Sequence, residues 1–293
     1  ILVDQSIDLR EPAITVGESP GGTRVAFRSL SGDLRLAGLL ETMRADFERV
    51  VALGVRPEEA LYLKGAILTT IGRPEEAIES LTEAIRIFPY YSDAYMKRSY
   101  PLLLLSRFDE ALADANRALE LWPACYEALL YRGTIRMARD EVQPAREDFT
   151  KAAELDPRRA EPHEALGALF VLTGEYEEAV RESTLAIERR ESAKSLCNRA
   201  GALLGLNRLD EASRDLDRAV EVDPSDGPSF AQRAQLRMIR RELPGARLDV
   251  ERALKRAADN PTIASMDANL LWMEGDVAGA LRLIEGLKGA PFD

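Results

Sequence analysis

An alanine that recurs about every 34 residues constrains the fold of this chain more than any other feature of its sequence. After one deleted residue near Ser192 the series continues in register. The complete column is Ala77, Ala111, Ala145, Ala179, Ala212, Ala246 and Ala280. A second small-residue column lies twelve positions earlier and consists of Gly65, Ser99, Gly133, Gly167, Ala200, Ala234 and Ala268. Spacing this regular indicates seven copies of one structural unit.

Residues 92–125 show what one unit is. Apolar residues recur with helical spacing on both sides of a short turn at Ser106–Arg107. The segment after the turn carries Ala111, Ala115 and Ala118 on one face, which lets a neighbouring helix approach closely. Each unit is therefore predicted to be a helix–turn–helix hairpin with apolar surface on both flanks, stable only when it stacks on similar units.

With these repeats the chain resembles the tetratricopeptide-repeat (TPR) family, and the resemblance covers everything after about residue 57. The repeats, numbered 1 to 7, are residues 58–91, 92–125, 126–159, 160–192, 193–226, 227–260 and 261–293. The resemblance implies an all-α, right-handed superhelical solenoid over residues 58–293. In this family the first helices line a concave groove that holds a peptide or protein partner. The motif is specific for the fold but says little about function.

The first 57 residues do not repeat. Residues 1–30 are predicted to form an extended arm with a short strand and a turn, because Ile1–Leu9 partly alternates and Pro20, Gly21 and Gly22 follow. Residues 31–57 are predicted to form a capping helix, or the remnant of a degenerate repeat, since the ends of a solenoid need covering. After the last helix only six residues remain, which is too short for a second capping helix.

Two further columns predict ion pairs inside the repeats. The arginines, all in first helices, are Arg98, Arg132, Arg199 and Arg233, and the carboxylates of the same repeats are Asp114, Asp148, Asp215 and Asp249. Repeats without this arginine also lack the aspartate: Lys64 goes with Ser80, Leu166 with Glu182, and Asp267 with Leu283. We interpret this ladder as structural rather than catalytic, because buried charges need partners and arginine can hold a carboxylate with two bonds.

Two residues break the pattern of their repeats. Pro101 lies inside a first helix, where it should remove the hydrogen bond to the Lys97 carbonyl and bend the helix. Either the kink is simply tolerated, or it bends the groove wall and offers a carbonyl to a ligand. His163, the only histidine, is expected to be a half-buried spacer rather than a catalytic base.

The groove is the candidate binding site. By the geometry of the family, its wall is formed by first-helix positions that avoid the small-residue columns. These candidates are Tyr62, Met96, Lys97, Tyr100, Tyr131, Thr134, Asn198, Gln232, Gln235, Asn269 and Trp272. Aromatic and methionine side chains supply apolar anchors, and amides can pair with a peptide backbone. The alternative is that the apolar members only pack between neighbouring repeats.

One mechanism known from TPR proteins is not expected here. Chaperone-binding members hold a terminal carboxylate with Lys, Asn and Arg at defined first-helix slots. From repeat 1 those slots read Tyr62, Ala66, Lys97, Glu127 and Tyr131, and no other starting repeat restores the pattern. A carboxylate clamp is therefore not predicted.

Composition narrows the function classes. The net charge is −11, which argues against a nucleic-acid partner. The two cysteines show neither metal spacing nor a disulfide framework, and no apolar run has membrane-spanning length. The sequence contains no phosphate-binding glycine loop, so we expect no cofactor, no metal and no catalysis. We expect a cytoplasmic protein. The alternative is a periplasmic or envelope protein whose leader was removed, because the chain starts at Ile1 without Met.

These observations favour a non-catalytic scaffold or adaptor that binds a peptide or protein partner in the groove. One alternative is an assembly or secretion-linked subunit that acts through the ends of the solenoid. Another is the regulatory region of a longer enzyme. A homodimer is a further expectation, through the apolar Ile1–Leu9 arm or through Leu281 and Ile284 at the C-terminal end.

Overall fold

The computed structural model describes residues 14–19, 22–27, 56–256 and 260–288, and it describes the side chains of residues 56–256 and 260–286. Two strands come first, β1 at Ile14–Ser19 and β2 at Gly22–Phe27. The helices are α1 Pro57–Thr70, α2 Pro74–Ile87, α3 Ser92–Leu104, α4 Phe108–Leu121, α5 Tyr126–Ala138, α6 Val142–Leu155, α7 Glu161–Thr173, α8 Tyr176–Arg189, α9 Ala193–Gly205, α10 Leu209–Val222, α11 Gly227–Ile239, α12 Leu243–Leu254, α13 Pro261–Glu274 and α14 Val277–Lys288. Odd-numbered helices are the first helices of the predicted repeats and even-numbered helices are the second.

The two strands pair as an antiparallel hairpin, with Ile14 opposite Phe27 and Ser19 opposite Gly22. The sequence predicted an extended arm with a short strand and a turn. The structure places strands on both sides of residues 20–21, and β-branched residues lie in both strands. Residues 1–13 and the predicted capping helix lie outside the described residues.

Helix ends follow from local chemistry. Glutamates such as Glu75 and Glu76 of α2 occupy first turns, where negative charge suits the helix dipole. The side chain of Asn260 caps α13 by accepting bonds from the amides of Thr262 and Ile263. Gly275 ends the same helix at φ 95°, a conformation that favours glycine.

The chain divides into two units, residues 1–141 and 142–293, and each is described by itself. In the first unit, α1 packs on α2 and α3 packs on α4, while α3 and α5 continue the stack. In the second unit, α7 packs on α6 and α8, and the pairs α9–α10, α11–α12 and α13–α14 follow. Except for repeat 3, whose two helices belong to different units, the helix pairs thus match the repeats that the alanine column predicted.

The small-residue columns lie where helices approach most closely. Ala77 and Ala111 in the first unit and Ala179 and Ala212 in the second are 0% exposed. A Cβ atom placed on Gly65 would lie 2.4 Å from a side-chain carbon of α2, closer than any real contact. The columns are therefore contact positions, as their recurrence predicted.

Pro101 lies inside α3, which continues unbroken from Ser92 to Leu104. The proline ring is fully buried, and after it the Leu105 amide bonds the Pro101 carbonyl at 3.2 Å. The helix therefore tolerates the proline, and a bend at this position stays a prediction.

Candidate functional site

In the second unit, α11 and α13 frame a cavity of about 610 Å³ on their first-helix face. We call it the Trp272 groove, and its lining includes Gln235, Met238, Met266, Asn269 and Trp272. Trp272 is 63% exposed, which is unusual for a residue with so much apolar surface. Three residues predicted from the sequence, Gln235, Asn269 and Trp272, are thus brought together.

Helical spacing explains why these side chains share one face. Ala268 and Leu270 of α13 are buried among the other helices of the unit, whereas Asn269 between them is exposed. Positions 265, 269 and 272 follow the i, i+4, i+7 rule and therefore lie on one side of the helix. The small-residue column thus fixes which side chains reach the groove.

The chemistry of the Trp272 groove is apolar with neutral polar groups at its edge. Methionines 238, 266 and 273 contribute polarisable side chains that adapt to varied shapes. The amides of Gln235 and Asn269 can both donate and accept hydrogen bonds. Arg241 is the charged residue among the described residues of its wall. The groove therefore suits an apolar side chain carried on an extended backbone.

The other two predicted amides lie on neighbouring first helices. Asn198 is half-buried and its Nδ2 donates a hydrogen bond to the carbonyl of Glu164 at 3.0 Å, which links two repeats. Gln232 is half-buried as well, and its Oε1 is a buried acceptor that no described donor reaches. Asn198 thus has a structural partner, whereas Gln232 has an unused acceptor.

In the first unit, the predicted residues Lys97, Tyr100 and Tyr131 meet in what we call the Tyr100 cluster. The rings of Tyr100 and Tyr131 lie 5.6 Å apart between centroids. The ammonium of Lys97 donates to the Tyr131 hydroxyl at 3.3 Å and lies 5.6 Å from the centre of the same ring. Tyr100 is 37% exposed, so part of its side chain stays open to a partner.

Acidic groups surround this cluster. Burial raises the pKa of Tyr62 to about 12, and the carboxylate of Asp93 adds to the shift. Burial and the like charge of Glu127 also raise the pKa of Asp93, against the lowering effect of Lys97. Tyr62 therefore keeps its hydroxyl proton at neutral pH, and its ring lies 5.3 Å from that of Tyr91.

Two predicted groove residues have little surface or polarity to offer a partner. Met96 is 5% exposed, and its sulfur lies 3.7 Å from the Cys125 thiol. Met96 therefore packs between neighbouring repeats, as the alternative interpretation proposed. Thr134 is half-buried, and its hydroxyl donates to the Leu130 carbonyl at 2.8 Å within its own helix.

The arginine–aspartate ladder is confirmed in three repeats. Its bidentate pairs are Arg98–Asp114 (2.7 and 2.7 Å), Arg199–Asp215 (2.7 and 2.7 Å) and Arg233–Asp249 (2.9 and 2.8 Å). In the last of these pairs, the hydrogen bonds to Asp249 raise the pKa of Arg233 above its ordinary value, and Arg233 therefore stays charged. Arg132 and Asp148 belong to different units, and their pairing stays a prediction.

The ladder arginines make a second contact that sequence reasoning missed. Each also donates through Nη1 to the second helix of the preceding repeat. These pairs are Arg98–Thr82 (2.9 Å), Arg132–Asn116 (3.0 Å), Arg199–Thr184 (3.3 Å) and Arg233–Asp217 (3.0 Å). The four acceptors occupy one polar column, which was the available signal. In repeats 2, 5 and 6 the ladder therefore joins neighbouring repeats as well as the two helices of the repeat.

The expectation for His163 was wrong in one respect, because the side chain is buried rather than half-buried, with 8% exposure. Its Nδ1 lies 2.7 Å from Oε2 of Glu182, which occupies the aspartate slot of the ladder. Its Nε2 is buried, and no described residue bonds it. Leu166 at the arginine slot explains the change, since it cannot pair with Glu182.

The comparisons with known proteins fit this architecture. One model of the tetratricopeptide repeat matches residues 58–91 and 193–226, and another matches residues 102–160. The chain is a tetratricopeptide-repeat protein. Its repeats build an all-α solenoid of the kind that serves as a protein-interaction scaffold.

Similar proteins support the fold without naming a partner. A DnaJ homolog subfamily C member 7 homolog of Dictyostelium discoideum is 40% identical over 63 residues, which are 22% of this chain and 12% of that protein. A chain of the APC/C hetero-tetramer Cut9-Hcn1 is 14% identical with a TM-score of 0.69, covering 81% of this chain and 47% of its own. A tetratricopeptide repeat protein from Parabacteroides merdae is 21% identical with a TM-score of 0.64, covering 81% and 91%. The TPR chain thus spans less than half of the first two proteins.

The described residues offer no candidate for a membrane span or for a metal-binding cluster. Among residues 56–256 and 260–288, no helix is long and apolar enough to cross a membrane. In the same part of the chain, histidine, cysteine and acidic side chains form no group of three or more that could hold a metal ion.

Proposed function

We propose that this TPR protein is a non-catalytic scaffold that holds a segment of a protein partner on its first-helix face, with the Trp272 groove as the main anchor. The observation that carries the proposal is an apolar cavity of about 610 Å³ with Trp272 63% exposed beside it. Exposed aromatic residues beside pockets mark sites where partners bury apolar groups. We therefore expect a partner to bury an apolar group in this cavity.

The groove favours an extended segment with an apolar side chain. The methionines and Trp272 accept that side chain, while the amides of Gln235 and Asn269 lie where a peptide backbone offers donors and acceptors. The cavity volume falls within the range of sites that hold one or two side chains or a small ligand. Specificity would then come from shape and backbone pairing rather than from charge.

The Tyr100 cluster is proposed as a second anchor, in the first unit. Tyr100 and Tyr131 offer aromatic faces, and such faces attract both apolar and cationic groups. Lys97 already neutralises part of the acidic surroundings.

Peptides selected from a random display library on the whole chain test this proposal. Trp272→Ala should weaken the selected peptides by about thirtyfold or more, since aromatic hot spots contribute about 2 kcal/mol or more. Asn269→Ala should weaken them several-fold. Trp122→Ala is the matched control, because Trp122 is 49% exposed but does not line the groove.

Equal affinity for the wild type and the Trp272→Ala variant would contradict the proposal. Loss of binding in the Trp122→Ala variant alone would place the site on another surface. Circular dichroism of both variants separates a binding defect from a folding defect.

A second candidate function is self-assembly through the last helix, as the sequence suggested. Val277, Leu281 and Ile284 of α14 are 50%, 54% and 39% exposed. Light scattering on the whole chain, on a chain lacking residues 1–30 and on the Ile284→Glu variant tests it. If α14 mediates a dimer, Ile284→Glu should give monomers, whereas Leu248→Glu, at a 55% exposed leucine of α12, should not. A wild-type chain that stays monomeric at high concentration would exclude this function.

A further inference from the structure

The arginine–aspartate ladder has a gap in repeat 4 that opens into a cavity. Leu166 occupies the arginine slot and Glu182 the aspartate slot, so the slot that supplies the ladder guanidinium in other repeats holds an apolar side chain here. A cavity of about 500 Å³ lies at this place among α6, α7 and α8, and Thr150, Leu166 and Glu182 are part of its lining. Thr150 occupies the slot that accepts the second arginine bond elsewhere in the ladder. We call this cavity the ladder gap.

The ladder shows what the missing group would be. In repeats 2, 5 and 6, one guanidinium bonds the carboxylate at the Glu182 slot with two nitrogens. Its third nitrogen bonds the hydroxyl or carboxylate at the Thr150 slot of the preceding repeat. The ladder gap keeps both kinds of acceptor but lacks the donor that joins them.

A buried imidazole adds an independent observation. His163 lines the ladder gap and is 8% exposed, and its Nδ1 lies 2.7 Å from Glu182. Because a carboxylate only accepts, Nδ1 donates this bond. The imidazole thus gives Glu182 one hydrogen bond, through Oε2, where a ladder guanidinium gives its carboxylate two. Among the described residues, Oε1 of Glu182 keeps its acceptor capacity for another donor.

The cations already in the wall have their own partners. Arg146 lines the cavity and bonds Glu175 at 3.1 Å. Arg181, on α8, bonds Glu178 at 2.5 Å. Glu182, in contrast, is bonded by an imidazole rather than by a guanidinium. The local charge balance therefore leaves room for one more cation.

We propose that the ladder gap binds the guanidinium of an arginine side chain from a partner protein. Such a group is planar and carries five N–H donors, so it can bond the Glu182 carboxylate and the Thr150 hydroxyl together. A lysine ammonium is a compact point charge that does not reproduce this fork. The site lies among α6, α7 and α8 and shares no lining residue with the Trp272 groove.

The single histidine of the chain makes the test direct, because its imidazole NMR signals need no further assignment. The whole chain is titrated with N-acetyl-arginine amide, with the neutral isostere N-acetyl-citrulline amide and with N-acetyl-lysine amide. The arginine derivative should shift the His163 signals in a saturable way, and the other two should bind at least about tenfold more weakly. No saturable shift, or equal shifts with citrulline or lysine, would overturn the proposal.

Two variants locate the site. Leu166→Arg supplies the guanidinium internally, so it should shift the His163 signals without ligand and abolish the response, whereas the neutral control Leu166→Met should keep it. Thr150→Val, at an exposed residue that does not endanger folding, should weaken the arginine derivative several-fold. An unchanged affinity in Thr150→Val, or a wild-type response in folded Leu166→Arg, would refute this location.

Discussion

Replacing Asp249 with asparagine tests the ladder where it is most deeply buried. The Asp249 side chain is 0% exposed and accepts bonds from Arg233 Nε at 2.9 Å, Arg233 Nη2 at 2.8 Å and Arg237 Nη1 at 2.6 Å. The substitution keeps the size of the side chain and removes its charge. Two arginines then face a neutral amide, and one of them, Arg233, is only 11% exposed.

The magnitude follows from this geometry. Removing one partner of a buried ion pair costs about 3–5 kcal/mol, mainly because the remaining charge stays desolvated. The lower end applies here, since asparagine keeps one acceptor oxygen and Arg237, with 25% exposure, can turn towards water. We therefore expect the free energy of unfolding of this region to fall by about 3 kcal/mol.

The assay must report locally, because repeat arrays open in parts. Hydrogen exchange of the α11 and α12 amides measures the local opening free energy, and urea titration followed by circular dichroism gives the overall stability. Asp217→Asn is the matched control. Asp217 is 52% exposed and makes one bond to Arg233 at 3.0 Å, so its loss should cost less than about 1 kcal/mol.

The reasoning fails if Asp249→Asn costs no more than Asp217→Asn. A second comparison separates charge from packing. The double variant Arg233→Leu/Asp249→Leu removes both charges and should be more stable than Asp249→Asn alone, because apolar replacements of buried pairs are often neutral. A double variant as unstable as the single one would show that packing, not charge pairing, sets the cost.

Three further predictions follow from the same structure. The double variant Tyr100→Ala/Tyr131→Ala should abolish capture of partners that bind the first unit while leaving helicity unchanged. Undiminished capture would show that the Tyr100 cluster is not the binding site. Gly65→Ala should destabilise the first unit by about 1–3 kcal/mol through overpacking, since its Cβ would lie 2.4 Å from α2, and a neutral effect in urea titration would contradict this. Burial raises the pKa of Cys125 and Cys197 to about 11, so both thiols stay protonated below that pH. Iodoacetamide at about pH 8 should therefore react roughly a hundredfold faster with the unfolded chain than with the folded chain. Equal reaction rates would refute this prediction.

The parts of the fold that repeat were predictable from the sequence. Registered columns of small residues located the helix pairs, because close helix contacts tolerate only small side chains there. Arg233 and Asp249 could be paired because they appear and disappear together across the repeats. Helical spacing also brought Asn269 and Trp272 to one face. A regular spacing carries enough information for all of these features.

Features that occur once were harder to predict. The hairpin of β1 and β2 has no second copy to compare, and its short β-branched segments gave a weak signal. His163 was placed by its packing slot alone, which says nothing about a carboxylate such as Glu182 on the next helix. The groove volume depends on side-chain conformations around Met238 and Met266, and no column of residues encodes these.

The groove itself can be tested by site-specific cross-linking. A photoreactive residue at position 269 faces the Trp272 groove, whereas one at position 248 lies on the exposed face of α12. Each labelled chain is mixed with a peptide selected on the wild type, irradiated and analysed by mass spectrometry. The proposed function predicts cross-links from position 269 and none from position 248. Cross-links from position 248 alone would contradict it.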